Sequence, residues 1–487
     1  MHLSKSRYTR AYQCNKMLWL DKHKPEEAVV LDKGAVFDNG TLVGEYAKKL
    51  FGENIDIKYN NDLNQMVIDT KEALKNDKCI ITEASFNYND CFCSVDILVK
   101  NNDEYEMYEV KSSTRLSPIY LEDISYQYYV LTNLGLNVTK ACIVHIDNKY
   151  VRKGDLELDK LFKIEDVTET VLEKQEFVKN KIKEINEYME REDEEEKDLG
   201  EYCFVPYDCP FFTYCSRNLG NNTVFDIRGM NHKERFNYYR KGVIKFEDLL
   251  NEKIKDDYKE QIEFELFDKK DKIELEKIRD FLKTLTYPLY FLDFETYQPP
   301  IPEYDNMSPF EQIPFQYSLH YYEDEKSELK HKEYLAKSGT DTRRDLAENL
   351  VKDIPQDVCV LAYNMTFEKN VIKKLANLYP DLSEHLMNIH SNIKDLMIPF
   401  KNREYYTKAM QGSYSIKYVL PALFPNDPSL DYHNLEKVHN GAEASATFTR
   451  MANMSEEEQK EIRHHMLEYC GLDTYAMVKI YKKLKDL

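Results

Sequence analysis

The segment YFLDFETY, residues 290–297, places two acidic residues two positions apart in an otherwise apolar and aromatic run. Side chains of a strand alternate between its two faces, so Asp293 and Glu295 point to the same side. Two carboxylates that share an apolar face repel each other and lose hydration, which is costly unless a cation lies between them. The pair therefore predicts a bound metal cation.

Further acidic residues follow in predicted helices. A strand at 358–363 leads into a helix that carries Glu368, and the last helix opens with a capping-box pattern at 455–458. Tyr469 and Asp473 lie four residues apart in that helix and hence on one face. Mg²⁺ and Mn²⁺ prefer oxygen ligands, and two such ions can activate a water and stabilise the leaving oxygen in phosphodiester hydrolysis. This set of residues therefore favours metal-dependent hydrolysis.

The stretches LDFET, AYNMTFEKNVI and YCGLDTYAM resemble, in order, the three motifs of the DnaQ-like (DEDD) 3′–5′ exonucleases, which have an RNase H-like fold. The resemblance implies four metal ligands, Asp293, Glu295, Glu368 and Asp473. It also implies that Tyr469 orients the nucleophilic water. Glu368 stands where that superfamily usually has Asp, and Asp395 is a candidate accessory acid.

A second acidic set lies in CFCSVDILVKNNDEYEMYEVKSST, which predicts a β-hairpin over residues 91–111. Asp96 lies in its first strand, while Glu109 and Lys111 share one face of its second strand. Asp followed about a dozen residues later by Glu-x-Lys resembles the PD-(D/E)xK nucleases. The resemblance implies that these carboxylates and the carbonyl of Val110 hold a divalent ion. Lys111 would stabilise the attacking hydroxide or the charge developing on the phosphate.

The next predicted helix, within ISYQYYVLTNLG, has Gln127 and Tyr128 where RecB-type nucleases carry a Gln–Tyr motif. The His that such nucleases carry on their first helix is missing. In FDNGTLVGEYAKKLF, Glu45 occupies the equivalent face and is the candidate ligand.

Four of the ten cysteines form a pattern: Cys14 stands alone near the N-terminus, and Cys203, Cys209 and Cys215 have five residues between neighbours. Four thiolates can hold an iron–sulfur cluster or a zinc ion, although zinc ribbons normally use two C-x2-C pairs. One remote Cys with a C-terminal trio resembles the iron–sulfur RecB-like nucleases, including exonucleases of CRISPR adaptation and AddB-type helicase–nucleases. The resemblance implies a 4Fe-4S cluster, with zinc as the alternative. The trio departs from the more usual C-x2-C-x5-C spacing.

Three regions must position these groups within an α/β protein. Residues 1–220 are expected to form a PD-(D/E)xK nuclease fold with the four-cysteine cluster, and residues 221–285 a helical connector. Residues 286–487 are expected to form the DnaQ-type mixed sheet with helices. Both signatures on one chain resemble a bacterial family of uncharacterised proteins that fuse a RecB-like to a DnaQ-like module.

The 487 residues are 42% hydrophobic and 32% charged, as in folded globular proteins. No apolar run approaches the roughly 20 residues that cross a bilayer, and the start lacks a signal-peptide pattern, so we expect a cytoplasmic protein without membrane contact. The net charge of −20 disfavours nonspecific wrapping of nucleic acid but allows a local metal site to hold phosphates.

The sequence therefore favours a metal-dependent nuclease with two active sites that acts on DNA, single-stranded or at ends, in DNA repair or in defence against foreign DNA. One alternative is an RNA-directed 3′–5′ exonuclease, because DEDD sites process both polymers. A different class of protein, a nucleic-acid-binding scaffold with one or both sites inactive, is a further alternative. The acidic surface is compatible with a protein partner, but nothing in the sequence marks its binding site.

Overall fold

The computed structural model describes residues 3–29 and 34–487, with the side chains of residues 34–38 left out. The chain forms two compact units. The N-terminal unit comprises Met1–Gly220 and Pro299–Glu311, and the C-terminal unit comprises Asn221–Gln298 and Gln312–Leu487. The helices of the predicted connector thus belong to the C-terminal unit, whereas the short segment 299–311 belongs to the N-terminal unit.

The N-terminal unit is built on a mixed sheet of seven described strands in the order β2-β3-β4-β5-β6-β7, with β1 paired to β4. The strands are β1 Leu3–Ser4, β2 Ile55–Asp56, β3 Lys78–Tyr88, β4 Cys91–Asn101, β5 Glu104–Lys111, β6 Asn137–Ile146 and β7 Phe162–Asp166. The helices are α1 Lys5–Gln13, α2 Asn15–His23, α3 Gly34–Phe51, α4 Leu63–Ala73, α5 Pro118–Asn133, α6 Leu158–Leu161, α7 Thr168–Glu173, α8 Gln175–Met189 and α9 Phe212–Ser216.

The predicted hairpin is confirmed as the antiparallel pair β4 and β5, closed between Asn101 and Glu104. Asn102 has φ +56°, a left-handed conformation that Asn adopts at low cost in a tight turn. Along β4, Val95 and Ile97 are fully buried while Asp96 between them is half-buried, as the alternation of a strand requires. The hairpin therefore presents Asp96 on the face opposite to its apolar neighbours.

The C-terminal unit contains a mixed sheet of five described strands in the order β11-β10-β9-β12-β13, and a separate ribbon of β14 with β8. The strands are β8 Lys272–Ile273, β9 Leu289–Tyr297, β10 Ile313–Tyr322, β11 Lys330–Leu335, β12 Cys359–Ala362, β13 Ile393–Asp395 and β14 Tyr405–Tyr406. The helices are α10 His232–Arg240, α11 Phe246–Leu249, α12 Asp256–Leu266, α13 Leu275–Lys283, α14 Arg343–Asp353, α15 Thr366–Leu378, α16 Ser383–Asn392, α17 Ile398–Lys401, α18 Ile416–Leu423, α19 Gly441–Met451 and α20 Glu456–Lys485.

The strand β10 runs antiparallel to β9 and β11, whereas β12 and β13 run parallel to β9. The long helix α20 packs against β9 and β10. It begins with the predicted capping box, in which the Ser455 hydroxyl accepts the N–H of Glu458 and the Glu458 carboxylate accepts the N–H of Ser455. Within residues 3–29 and 34–487, no helix is both long and apolar enough to cross a lipid bilayer.

Candidate active sites

Three of the predicted C-terminal ligands come together. Ligand oxygens of Asp293, Glu295 and Asp473 lie within 4.8 Å of one another, although the two elements that carry them are far apart in sequence. Strand β9 supplies the first two side chains on one face, and helix α20 supplies the third from the layer that packs on the sheet. Three carboxylates at this separation can hold a divalent cation.

The other two C-terminal acids have different environments. Glu368 is only 2% exposed near the start of α15, and its Oε2 atom has no hydrogen-bond partner among the described residues. It lies outside the group of three but is close enough to raise the pKa of Asp293. Asp395 instead accepts backbone N–H bonds from Asn364 at 3.0 Å and Met397 at 3.0 Å. Asp395 therefore closes the turn that leads into α15, and its charge also adds to the burial that raises the pKa of Glu368.

Burial raises the pKa of every carboxyl in this group, and repulsion by neighbouring group members adds to the rise at Asp293 and Glu295. Burial, then the charges of Asp473, Glu295 and Glu368, raise the pKa of Asp293 far above its usual range. Burial raises the pKa of Glu295 to about 8, assisted by Asp473, and that of Asp473 to about 6. Burial likewise raises the pKa of Glu368 to about 8. These acids lack sufficient positive charge from the protein itself, and a bound cation would supply it.

Two tyrosines and one lysine surround the group. The Tyr432 hydroxyl donates to Asp473 Oδ1 at 2.6 Å, and the Tyr469 ring lies 6.0 Å from the Tyr432 ring. Burial and the charge of Asp473 raise the pKa of Tyr469, so its hydroxyl stays neutral and can donate a hydrogen bond. Lys417 on α18 lowers the pKa of both Glu295 and Asp473, less strongly than burial raises it. No sequence pattern indicated Tyr432 or Lys417, because both interactions are long-range.

Helix α19 approaches the site with its first residue. A Cβ atom at Gly441 would lie 3.3 Å from Glu295 Oε2, which is tighter than an ordinary van der Waals contact. Asn440 caps the helix by accepting the N–H of Glu443 at 3.0 Å. The absence of a side chain at Gly441 therefore lets the helix start pack directly against a candidate ligand.

The N-terminal acids also come together, but with lysines between them. Lys111 Nζ donates to Glu109 Oε1 at 2.6 Å, and Gln127 Nε2 donates to Glu109 Oε2 at 2.7 Å. Asp96 Oδ2 accepts the N–H of Val110 at 2.7 Å, which ties the two strands of the hairpin at the site. Asp96, Glu109, Lys111 and Gln127 thus occupy one site as expected.

Two further residues of this site were missed from the sequence. Lys5 Nζ lies 2.9 and 3.1 Å from the two carboxylate oxygens of Glu109 and 3.7 Å from Asp96 Oδ1. Asp123, on α5, accepts a hydrogen bond from Lys111. Asp123 precedes Gln127 by four residues and so shares its helical face, a signal that could have identified it. No comparable signal exists for Lys5, which is 104 positions from Glu109.

Glu45 and Tyr128 lie in different surroundings. Glu45 lines a cavity of about 490 Å³ together with Asp96, Glu109 and Lys111. Its side chain is 59% exposed and pairs with Lys48 at 3.3 Å. Tyr128, in contrast, is buried in the apolar core. Of these two, Glu45 is therefore the one that can reach a ligand in the cavity.

The lysines set the charge state of the N-terminal acids. Although burial opposes ionisation of Glu109, the ammonium groups of Lys111 and Lys5 hold its pKa well below the usual range. Burial and the charge of Glu109 raise the pKa of Asp96 to about 7. Burial alone would lower the pKa of Lys111, but Asp123 and Glu109 raise it, so Lys111 remains protonated near neutral pH.

The four predicted cluster cysteines, Cys14, Cys203, Cys209 and Cys215, line one apolar cavity with Met17, Leu20 and Phe211 among its walls. Among these four described residues, no three sulfur atoms all lie within 4.8 Å of one another. A tetrahedral zinc site with Zn–S bonds of about 2.3 Å needs sulfurs about 3.8 Å apart. The four thiols thus share one cavity without forming a ready-made tetrahedral site.

Hydrogen bonds fix the chain segments that carry these cysteines. Gln13 Nε2, next to Cys14, donates to the carbonyls of Tyr202 at 2.7 Å and Tyr207 at 2.6 Å. The N–H of Cys209 donates to the carbonyl of Cys203 at 2.9 Å. Burial raises the pKa of the Cys203 thiol to about 11 and that of Cys209 to about 12, so a bound metal is needed to hold them as thiolates.

A family model described as "Domain of unknown function (DUF2779)" matches residues 290–415, which include β12, α15 and all of β9 except its first residue. The chain is also similar to "Uncharacterized protein UU173" of Ureaplasma parvum serovar 3, with 27% identity over 139 residues. That stretch is 27% of this chain and 20% of the relative, so the chain spans about a fifth of the length of the curated relative it matches. No solved structure matches the chain.

Proposed function

We propose that the protein is a divalent-metal-dependent nuclease with two active sites, one in each unit, acting on DNA strands or ends. The observation that carries the proposal is the convergence of Asp293, Glu295 and Asp473 within 4.8 Å, with raised pKa values that a cation would relieve. Strand order and direction around β9 are compatible with an RNase H-like sheet and support this assignment.

In the C-terminal site, Asp293, Glu295 and Asp473 would hold Mg²⁺ or Mn²⁺, with Glu368 as a further ligand from α15. Bound ions would supply activation of a water and stabilisation of the leaving oxygen. The neutral hydroxyl of Tyr469 would orient that water, while Tyr432 fixes the Asp473 carboxylate through its 2.6 Å hydrogen bond. Lys417, an exposed residue, would contribute positive charge toward the phosphate.

In the N-terminal site, Asp96 and Glu109 would hold a divalent ion, with Glu45 reaching into the same cavity. Lys111 stays an ammonium near neutral pH and would donate a hydrogen bond to charge developing on the phosphate. Asp123 and Glu109 orient Lys111, and Gln127 orients Glu109. The protonated Lys111 would thus stabilise negative charge on the phosphate and would not act as a general base.

We further propose that Cys14, Cys203, Cys209 and Cys215 hold an iron–sulfur cluster, 4Fe-4S, that joins the residue between α1 and α2 to the segment that follows α8. The cavity that all four thiols line supports a group bound between them, with zinc as the alternative to a cluster. Such a staple would hold α1, and with it Lys5, against the hairpin.

Cleavage of end-labelled DNA and RNA, single- and double-stranded, by anaerobically purified protein tests the proposal. We expect products that require Mg²⁺ or Mn²⁺ and disappear with EDTA. Asp96→Ala and Asp293→Ala should each remove a different part of the product pattern, and the double variant should remove all of it. Asp381→Asn, at a 56% exposed acid paired with Arg344, is the matched control. Cleavage that persists unchanged in the double variant would refute the proposal, and preference for RNA would favour the RNA exonuclease.

A further inference from the structure

Lys5 has a position that the proposed chemistry of the N-terminal site leaves unexplained. Its ammonium contacts both carboxylate oxygens of Glu109, at 2.9 and 3.1 Å, and lies 3.7 Å from Asp96 Oδ1. Asp96 and Glu109 are the two residues between which a divalent ion would bind. The protein's own cation therefore occupies the space that the metal would need.

The backbone around Lys5 is fixed to the same elements as the acids. Strand β1 pairs in parallel with β4, with Leu3 opposite Cys91 and Ser4 opposite Phe92. The Leu3 carbonyl also accepts a hydrogen bond from the Tyr126 hydroxyl of α5. The position of the Lys5 main chain is thus set by the hairpin and by α5, while its side chain, 28% exposed, borders the 490 Å³ cavity and has room to move.

The Lys5 ammonium and a divalent ion cannot both occupy the space between Asp96 and Glu109. Lys5 Nζ contacts the same Glu109 oxygens, at 2.9 and 3.1 Å, that a Mg²⁺ ion would bind, so an ion held by Asp96 and Glu109 would lie a short distance from the ammonium. Repulsion at that distance is strong in a partly buried site, where water screens charges weakly. Binding of the ion must therefore displace the ammonium into the cavity.

We propose that Lys5 is an exchangeable counter-cation of the N-terminal site, which neutralises Asp96 and Glu109 until a divalent ion displaces it. The inference rests on the proposed metal site. It predicts that removing the ammonium has opposite effects on two quantities. The metal-free protein loses a charge partner for the buried Glu109, so its stability falls. The metal loses a competitor, so the affinity of the site for metal rises. If Lys5 had only a structural role in this site, its removal would lower both the stability and the metal affinity.

Titration of full-length protein with Mn²⁺, with free Mn²⁺ followed by electron paramagnetic resonance, tests the inference. All variants carry Asp293→Asn, so that the N-terminal site dominates binding. Lys5→Met should lower the Kd for Mn²⁺ by about tenfold and lower the metal-free melting temperature.

Lys174→Met is a matched control, because Lys174 pairs with Glu122 at side-chain exposures of 29% and 2%, against 28% and 2% for Lys5 and Glu109. We expect it to lower the melting temperature without changing the Kd. An unchanged or higher Kd in Lys5→Met, with binding still abolished by Asp96→Asn, would overturn the role of Lys5 and leave the metal site intact. Binding that survives Asp96→Asn unchanged would instead refute the N-terminal metal site itself.

Discussion

The two acid groups of this chain differ in where their positive charge comes from. In the N-terminal site, Lys5 and Lys111 contact Glu109 directly and keep it ionised although it is buried. In the C-terminal site, Glu295 and its partners have raised pKa values, and Lys417 offsets burial only in part. The two groups thus differ in charge compensation: internal cations hold Glu109 ionised in the first, whereas the acids of the second are left short of positive charge.

The largest effect expected from this difference concerns Asp293, the acid whose pKa is raised most clearly by its neighbours. Asp293→Asn removes one carboxylate from the proposed metal site, and a bound metal would stabilise the transition state by several kcal/mol, so cleavage by the C-terminal site should fall by about 10²–10³-fold. Trimming of end-labelled DNA by protein that also carries Asp96→Ala measures this loss. A loss below about threefold would mean that the C-terminal acids do not carry the reaction.

Substitution of a cysteine that lines the four-cysteine cavity should affect cleavage by the N-terminal site only. Cys14→Ser should abolish the visible absorbance of the proposed cluster and reduce cleavage by the N-terminal site, because the segment between α1 and α2 is then no longer joined to the segment that follows α8. Cleavage by the C-terminal site should remain. Cys79→Ser, a partly exposed cysteine outside the cavity, is the control. Equal losses at both sites would contradict a cluster that serves the N-terminal unit alone.

The charge difference also predicts how stability depends on pH. The folded-state pKa values of Glu295, Glu368 and Asp473 are about 8, 8 and 6, above those of the unfolded chain. The contribution of these carboxyls to the free energy of unfolding is thus fully present below about pH 4 and is lost as the pH rises through 6 to 8. Glu109 has a lowered pKa, so its contribution is retained in that range and lost only on acidification.

Calorimetry of metal-free protein should therefore give a lower melting temperature at pH 8 than at pH 6, with part of the decline removed by Glu295→Gln. Adding Mn²⁺ should restore stability most at pH 8. A melting temperature of the metal-free protein that rises from pH 6 to pH 8 would contradict the raised pKa values of these acids.

The smallest expected effect concerns the packing of Gly441 against Glu295 in the C-terminal site. Gly441→Ala would place a Cβ 3.3 Å from Glu295 Oε2 and displace that carboxylate by a few tenths of an ångström. Misplacement by about 1 Å costs about 10²-fold, so we expect a several-fold loss at the C-terminal site only. Gly40→Ala is the control, because a Cβ atom at Gly40 would meet open space. Unchanged trimming by the Gly441→Ala variant would show that the Glu295 position tolerates such a shift.

Much of the local structure is accessible from the sequence. Alternation, turn residues and a known helix-start pattern predict the hairpin over 91–111, the strand before α15 and the capping box at 455–458, and all three are confirmed. The grouping of Asp293 with Asp473 is likewise predictable, because motif order indicates which elements must meet.

The remaining features depend on contacts between distant parts of the chain. Lys5 reaches Glu109 across 104 positions, and Tyr432 reaches Asp473 across 41, with no periodic pattern linking either pair. Asp395 stays a predicted accessory acid, and only the path of the backbone reveals that it also closes the turn before α15. The passage of 299–311 into the N-terminal unit likewise follows from tertiary packing and not from local composition.

Proton release on metal binding tests the central contrast most directly. Titration calorimetry with Mn²⁺ at pH 7, in two buffers of different ionisation enthalpy, counts the protons released by each site in Asp96→Asn and Asp293→Asn protein. The N-terminal site should release about half a proton, because Asp96 has a pKa of about 7 and Glu109 is already ionised. The C-terminal site should release more than one, because Glu295 and Glu368 both have a pKa of about 8 and are mostly protonated at that pH. Equal proton release at the two sites, or no Mn²⁺ binding at either, would contradict this contrast between them.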